Sequence, residues 1–190
     1  MMSIDQGKPV ILVLLDLSAT FNTVDHNVLF SRLKDMFGLS GKVLEWFRSY
    51  LEQCSQRVSV HGILSDIQFL LSGVPQGSVL GPLVFTMYTR PLGIIAHRYG
   101  VKYHLYADDT QLYISTDPDN ELNFSSSLKN LEHCIPDIRL WMTQNLLKLN
   151  DNKTNILYLA SPHGVKSLKT SALQIGASST RPPLMGQYKI

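Results

Sequence analysis

Val101-Lys102-Tyr103-His104-Leu105-Tyr106-Ala107-Asp108-Asp109-Thr110-Gln111-Leu112-Tyr113-Ile114-Ser115 is the stretch on which the fold turns. The runs before and after the two aspartates alternate in polarity and are rich in β-branched and aromatic residues, the pattern of half-buried strands. A hairpin with the acids at its tip follows. Two carboxylates about 4 Å apart repel by roughly 4 kcal/mol at an effective dielectric of 20. A fold that concentrates them pairs them with a cation or protonates one. Mg²⁺ is a natural partner, because it takes carboxylate oxygens together with substrate phosphates. Taken alone, Asp108-Asp109 reads equally well as a polar hairpin turn.

Working outward, Val10-Ile11-Leu12-Val13-Leu14-Leu15 runs straight into Asp16 and is preceded by Gly7-Lys8-Pro9. A continuous apolar run of this length suits a strand buried on both faces. Asp16 then stands at the strand's end, where open sheets place ligand-binding groups. An acid beside so apolar a run is costly to bury unless paired or metal-bound. Capping of the next helix is the competing role for Asp16, and Ser18, Thr20 and Thr23 are further cap candidates. A third signal is Ser72-Gly73-Val74-Pro75-Gln76-Gly77-Ser78-Val79-Leu80-Gly81-Pro82. Gly73, Pro75 and Gly77 imply an irregular backbone that can approach a ligand closely, although a plain connecting loop has the same composition. A helix is expected from Gly81-Pro82, with Leu83 to Tyr88 packing on the sheet.

These segments together resemble the palm of a reverse transcriptase of the LINE-type (non-long-terminal-repeat) retrotransposons. Leu14 to His26 resembles the family's first catalytic motif, Gly73 to Gly81 its Gly-Val-Pro-Gln-Gly motif, and Tyr106 to Asp109 its Tyr-Ala-Asp-Asp motif. Leu147-Lys148-Leu149-Asn150-Asp151-Asn152-Lys153-Thr154 resembles the palm motif that follows. The resemblance spans about Asp5 to about Gly176, with the motifs in the family's order. It implies an α/β (α+β) fold with a polymerase-type palm, an antiparallel sheet carrying helices on one face. It further implies RNA-directed DNA polymerase chemistry: two-metal transfer of a nucleotide onto a primer 3′-hydroxyl, with RNA template, DNA primer and dNTP as partners. Two Mg²⁺ ions are implied, with Mn²⁺ as a substitute. Asp16, Asp108 and Asp109 are the implied metal ligands, with the Leu17 main-chain carbonyl as a further one.

The same resemblance casts Phe21 as the bulky residue that blocks a ribose 2′-hydroxyl, a position that core packing explains equally. It assigns Gly73, Pro75, Gln76, Gly77 and Tyr106 to substrate contact and Lys153 to protonation of pyrophosphate. Asn22 stands where the family usually has aspartate, outside the metal set. Only 15 residues precede Asp16 and the resemblance fades after Gly176, so a palm lacking complete fingers and thumb is expected. An inactive retroelement remnant that binds nucleic acid or protein is the alternative reading, and self-association through uncovered surfaces is a further expectation.

At 190 residues and 44% hydrophobic content the chain can bury one sizeable core. A division into a folded unit at 1–160 and a divergent, poorly ordered tail at 161–190 is expected. The net charge of +2 does not by itself announce a nucleic-acid binder. Cys54 and Cys134 lack metal-ligand spacing and read as reduced core residues, in keeping with an intracellular protein of nucleus or cytoplasm. No secretory signal or bilayer-spanning run stands out. Elsewhere, Thr23 or Asp25 is expected to cap a helix with the stripe Val28, Leu29, Leu33, Met36 and Phe37. Ser40 opens another, with Val43, Leu44, Phe47, Tyr50 and Leu51 on one face. Gln56 to Val60 and Ile63 to Leu70 form a hairpin around His61-Gly62. Leu128, Leu131, Ile138, Trp141 and Met142 keep helical spacing, and Pro136 predicts a break or kink between two consecutive helices. Asn155 to Leu159 is expected to be a closing strand. The six histidines are scattered and suggest no site.

Overall fold

The computed structural model describes residues 8–18, 20–52, 54–75, 77–116, 120–159, 173–175 and 178–180. Its centre is an antiparallel sheet of β1 (Val10–Leu15), β7 (Lys102–Tyr106), β8 (Asp109–Ser115) and β10 (Asn155–Leu159), in the order β10-β1-β8-β7. Register explains the burial. Val13 pairs with Leu112 on one side and Ile156 on the other, and Ile11 pairs with Ile114. All five are buried, so they form one face beneath the helices. Their alternates Leu12, Leu14, Gln111 and Tyr113 are only half-buried. The expectation that β1 is buried on both faces is therefore corrected: one face is fully buried, and on the other Val10 is buried while Leu12 and Leu14 are half-buried.

The helices follow from local chemistry. α1 (His26–Asp35) starts where the Asp25 carboxylate accepts the Val28 N–H at 2.9 Å, which supplies one of the orphan donors of the first turn. Leu29, Phe30 and Leu33 face the core, whereas Met36 lies beyond the helix and is exposed. Gly38 ends the segment at φ +66°, the left-handed stop that glycine adopts readily. α2 (Gly41–Leu51) buries Phe47 and Leu51 but leaves Val43 and Trp46 exposed; the helix is anchored by its C-terminal half. Then β3 (Ser55–Gln56), β4 (Ser59–Val60), β5 (Ile63–Leu64) and β6 (Gln68–Phe69) build the expected hairpin. His61 and Gly62 turn it with positive φ at both positions, the geometry that matches strand twist.

α3 (Gly81–Thr89) and α4 (Pro91–Arg98) both begin on proline-bearing turns. α5 (Glu121–Gln144) runs through Pro136 as one helix, so the expected pair of helices is replaced by a single long one. Leu128, Leu131, Cys134, Ile135, Ile138 and Met142 are all buried along it. Burying one such side chain yields about 1.5–3 kcal/mol, so the continuous stripe outweighs the roughly 3 kcal/mol that proline costs a helix interior. Burial also pushes the Cys134 thiol up to about 12, and both cysteines are free.

Arg32 ties three helices together. Its guanidinium donates to the Tyr88 carbonyl and to Asn145 Oδ1, and it stands over the Tyr88 ring at 4.4 Å and the Trp141 ring at 5.0 Å. β11 (Leu173–Ile175) and β12 (Ser178–Thr180) form a separate antiparallel pair. The rest of the expected tail, 161–190, lies outside the described residues. Among those residues no helix is long and apolar enough to cross a membrane.

Candidate active site

Asp16 follows the last residue of β1, and Leu15 is paired with Thr110. The pairing ends there, and the next residue of each strand, Asp16 and Asp109, lies at that same end of the sheet. Because side chains alternate along a strand, exposed Asp109 projects from the open face, opposite in sense to buried Thr110, and Asp16, just past β1, is half-buried. Tyr106 pairs with Asp109 across the hairpin, shares that face and is 68% exposed. Ala107 and Asp108 form the two-residue turn. Ala107 is buried and sits at φ +52°, a conformation that costs a residue with a Cβ on the order of 1–2 kcal/mol. The sheet thus brings the expected carboxylates Asp16, Asp108 and Asp109 to one end. Asp16 does not cap a helix; that role belongs to Asp25.

β2 (Leu17–Ser18) pairs with β9 (Lys148–Leu149), which draws the expected late motif to the residues after Asp16. Asn150 N–H donates to the Asp16 carbonyl at 2.9 Å. Asp16–Asn150 is therefore the hydrogen-bonding pair and Leu17–Leu149 the non-bonding one, which turns the Leu17 carbonyl away from β9. Lys153 is exposed in the turn after β9, its N–H donating to the Asn150 carbonyl at 3.1 Å. Among the described residues no three His, Cys, Asp or Glu side chains are gathered in a metal-holding group. The protein donors at the sheet end are carboxylates and a carbonyl, the hard oxygen ligands that Mg²⁺ takes.

The glycine loop is fastened to the segment after Asp16. Gly73 N–H donates to the Val24 carbonyl at 2.8 Å, Val74 N–H to the Phe21 carbonyl at 2.7 Å, and Ser72 Oγ to the Asn22 carbonyl at 3.2 Å. Asp25 and Ser72 form an antiparallel bridge. Phe21, in a 3₁₀ turn over Thr20–Asn22, packs its ring 5.4 Å from that of Phe85 on α3, so the expected gating position is also a packing position. Gly73 has φ +94° and Gly77 φ +76°. A groove of about 680 Å³ opens beside the loop, lined by Asn22, Gln56, Phe69, Ser72, Gly73 and Pro75 among others. Gln76 lies outside the described residues.

His26, which carries no role in the sequence reading, is buried and its Nε2 stands 2.7 Å from the Gly73 carbonyl oxygen. One signal existed: His26, Leu29, Phe30 and Leu33 share the helical i, i+3, i+4, i+7 spacing. Arg32 carried no comparable signal, because its partners come from two distant helices.

The family model described as reverse transcriptase (RNA-dependent DNA polymerase) matches residues 2–180. The chain belongs to the reverse transcriptase family. Among curated relatives, this reverse transcriptase chain is similar to the probable RNA-directed DNA polymerase from transposon BS of Drosophila melanogaster. Identity is 31% over 147 residues, covering 75% of the chain and 16% of the relative. The RNA-directed DNA polymerase from mobile element jockey of Drosophila funebris is 35% identical over 75 residues, covering 40% of the chain and 8% of the relative. These relatives support the LINE type expected from the motifs, and the chain spans a small fraction of their length. Among solved structures, an apo telomerase from Candida tropicalis truncated from its C-terminal domain superposes with a TM-score of 0.56 at 15% identity. That match covers 80% of the chain and 31% of the telomerase. A telomerase from the same organism in complex with a fragment of telomeric RNA gives 0.57 at 14% identity, covering 80% and 26%. At these identities the likeness is one of fold, a polymerase-type fold with an antiparallel sheet and helices.

Proposed function

We propose that this chain carries the catalytic palm of an RNA-directed DNA polymerase, which adds a dNTP to a DNA primer on an RNA template. The observation that supports the reading is the β1–β8 register ending at Leu15–Thr110, which leaves Asp16 and Asp109 at one end of the sheet with Asp108 in the adjoining turn. Reverse transcriptases use divalent metal ions. In this chain Asp16 and Asp108 would hold two Mg²⁺, assisted by Asp109 and the Leu17 carbonyl. Bound there, the ions would supply activation of the primer hydroxyl and neutralisation of phosphate charge. Two carboxylates suffice on the protein side, because Mg²⁺ completes its shell with water and substrate phosphates.

The chain's own residues do the positioning, which is most of the protein's share in phosphoryl transfer. The fastened Gly73–Pro75 segment offers main chain to template and nucleotide, and Tyr106 flanks the acids. Phe21, braced by Phe85, limits the space beside the sugar. Lys153 delivers a proton to the leaving pyrophosphate. Mg²⁺-dependent primer extension on an RNA template tests the reading. Asp108→Asn or Asp16→Asn should lower incorporation on the order of 10³-fold, since each removes several kcal/mol of charge stabilisation. Wild-type incorporation no greater than that of Asp108→Asn would overturn it.

Self-association belongs to the same reading. Val58, Val60 and Ile63 on the β4–β5 hairpin are each more than half exposed, and contiguous apolar patches of this kind mark contact surfaces. Light scattering should show concentration-dependent dimers that Ile63→Lys dissolves; a monomer at all concentrations would refute it.

A further inference from the structure

His26 has no part in the chemistry above, yet it is built into the site. It occupies the first position of α1, is 7% exposed, and its ring tilts against Phe30 with centroids 6.3 Å apart. Its Nε2 lies 2.7 Å from the Gly73 carbonyl oxygen, across 47 residues of sequence. A carbonyl only accepts, so Nε2 carries the proton and donates.

The bonded carbonyl belongs to the residue least able to hold its place unaided. Gly73 has φ +94°, and glycine loses more freedom on ordering than any other residue. Its lack of a side chain lets the Asn22 and Phe21 main chain approach a site where a Cβ would lie only 3.1 Å from their atoms. Main-chain bonds from Gly73 and Val74 to Val24 and Phe21 close one side of the contact. His26 closes it from the rigid helix. The Asp25 carboxylate is engaged with Val28 N–H, so α1 presents a cap and a latch at successive residues.

We propose that His26 is a positioning residue: its Nε2–H holds the Gly73 carbonyl and so registers the Gly73–Gly77 loop against the Phe21–Asn22 turn that follows Asp16. What the loop then presents, template and nucleotide, rests on the polymerase reading; the latch itself does not. A core-filling histidine would do nothing of this kind, and two variants separate the roles. His26→Phe keeps a buried ring without a donor, and His26→Gln keeps a donor at similar reach.

The experiment is amide hydrogen exchange by NMR on the full chain. In His26→Phe the Gly73 and Val74 amides should exchange roughly five- to tenfold faster, the worth of about one net hydrogen bond, while the Val13 amide of β1 is unchanged. His26→Gln should restore most of the protection. Unchanged exchange at Gly73 and Val74 in His26→Phe would overturn the proposal, as would equal acceleration at Val13. Should His26→Phe not fold, ¹⁵N spectra of the wild-type ring decide: a protonated, slowly exchanging Nε2 supports the latch, and a bare Nε2 overturns it. In primer extension, His26→Phe should raise KM for dNTP more than it lowers kcat, with partial rescue by His26→Gln. A chain without extension activity would count against the polymerase reading alone, because exchange decides the latch independently.

Discussion

Replacing Gly73 by alanine tests the loop geometry most severely. At φ +94° the new Cβ would stand 3.1 Å from the Asn22 Cα, the Asn22 carbonyl oxygen and the Phe21 carbonyl oxygen. These neighbours are main chain, and the Phe21 carbonyl is itself held by Val74 N–H at 2.7 Å, so neither can swing aside. The left-handed backbone costs a residue with a Cβ about 1–2 kcal/mol, and overpacking a closed site about 1–3 kcal/mol. Together the substitution should destabilise the chain by about 2–5 kcal/mol. Gly77→Ala is the internal reference: Gly77 has φ +76° and nothing within 4 Å of the added Cβ, so only the backbone cost applies. Urea unfolding of both variants isolates the packing contribution as their difference, provided the m-values agree. In a thermal melt each kcal/mol moves the midpoint by about 2–4 °C in a chain of this size. A Gly73→Ala loss within about 0.5 kcal/mol of the Gly77→Ala loss, less than any overpacking cost, would refute the close approach of loop and turn.

Pro136→Ala should raise stability by about 1–3 kcal/mol, because it restores an N–H to the interior of α5; an unchanged or lowered urea midpoint would contradict the continuous helix. Burial, opposed by the nearby Arg32 charge, holds the Tyr88 hydroxyl above its ordinary value of 10.0. A raised folded-state pKa gives a contribution that is whole below the unfolded value and is lost as pH climbs through the folded one. The stability of wild type relative to Tyr88→Phe should therefore shrink above pH 10, and a constant difference in unfolding midpoint would refute the burial argument. With its thiol near 12, Cys134 should resist iodoacetamide in the native chain while half-buried Cys54 is alkylated; mass spectrometry showing equal labelling would overturn that ranking, since the thiolate is the reactive form.

Much of the candidate site is visible in one dimension because its parts are short-range. The β7–β8 hairpin announces itself by alternation on either side of Ala107-Asp108, and Asp25, His61-Gly62 and Gly38 act through their immediate neighbours. Pro136 misleads for the opposite reason. Its local cost is plain from the sequence, but the burial of Ile135, Ile138 and Met142 that outweighs it depends on surfaces supplied by the sheet. The run Val10–Leu15 misleads similarly: hydrophobicity alone does not say that Leu12 and Leu14 face a side that is only partly covered.

By itself, the sequence determined the carboxylates, the glycine loop, their order and the family to which they belong, because backbone propensity and side-chain chemistry are written residue by residue. The tertiary structure alone decided that β1 and β8 align to leave Asp16 and Asp109 at one end of the sheet, and that β9 returns to Asp16 through Asn150. It also brought His26 to Gly73 and Arg32 between Tyr88 and Trp141. Such contacts join residues tens of positions apart, and their formation depends on the whole core having packed.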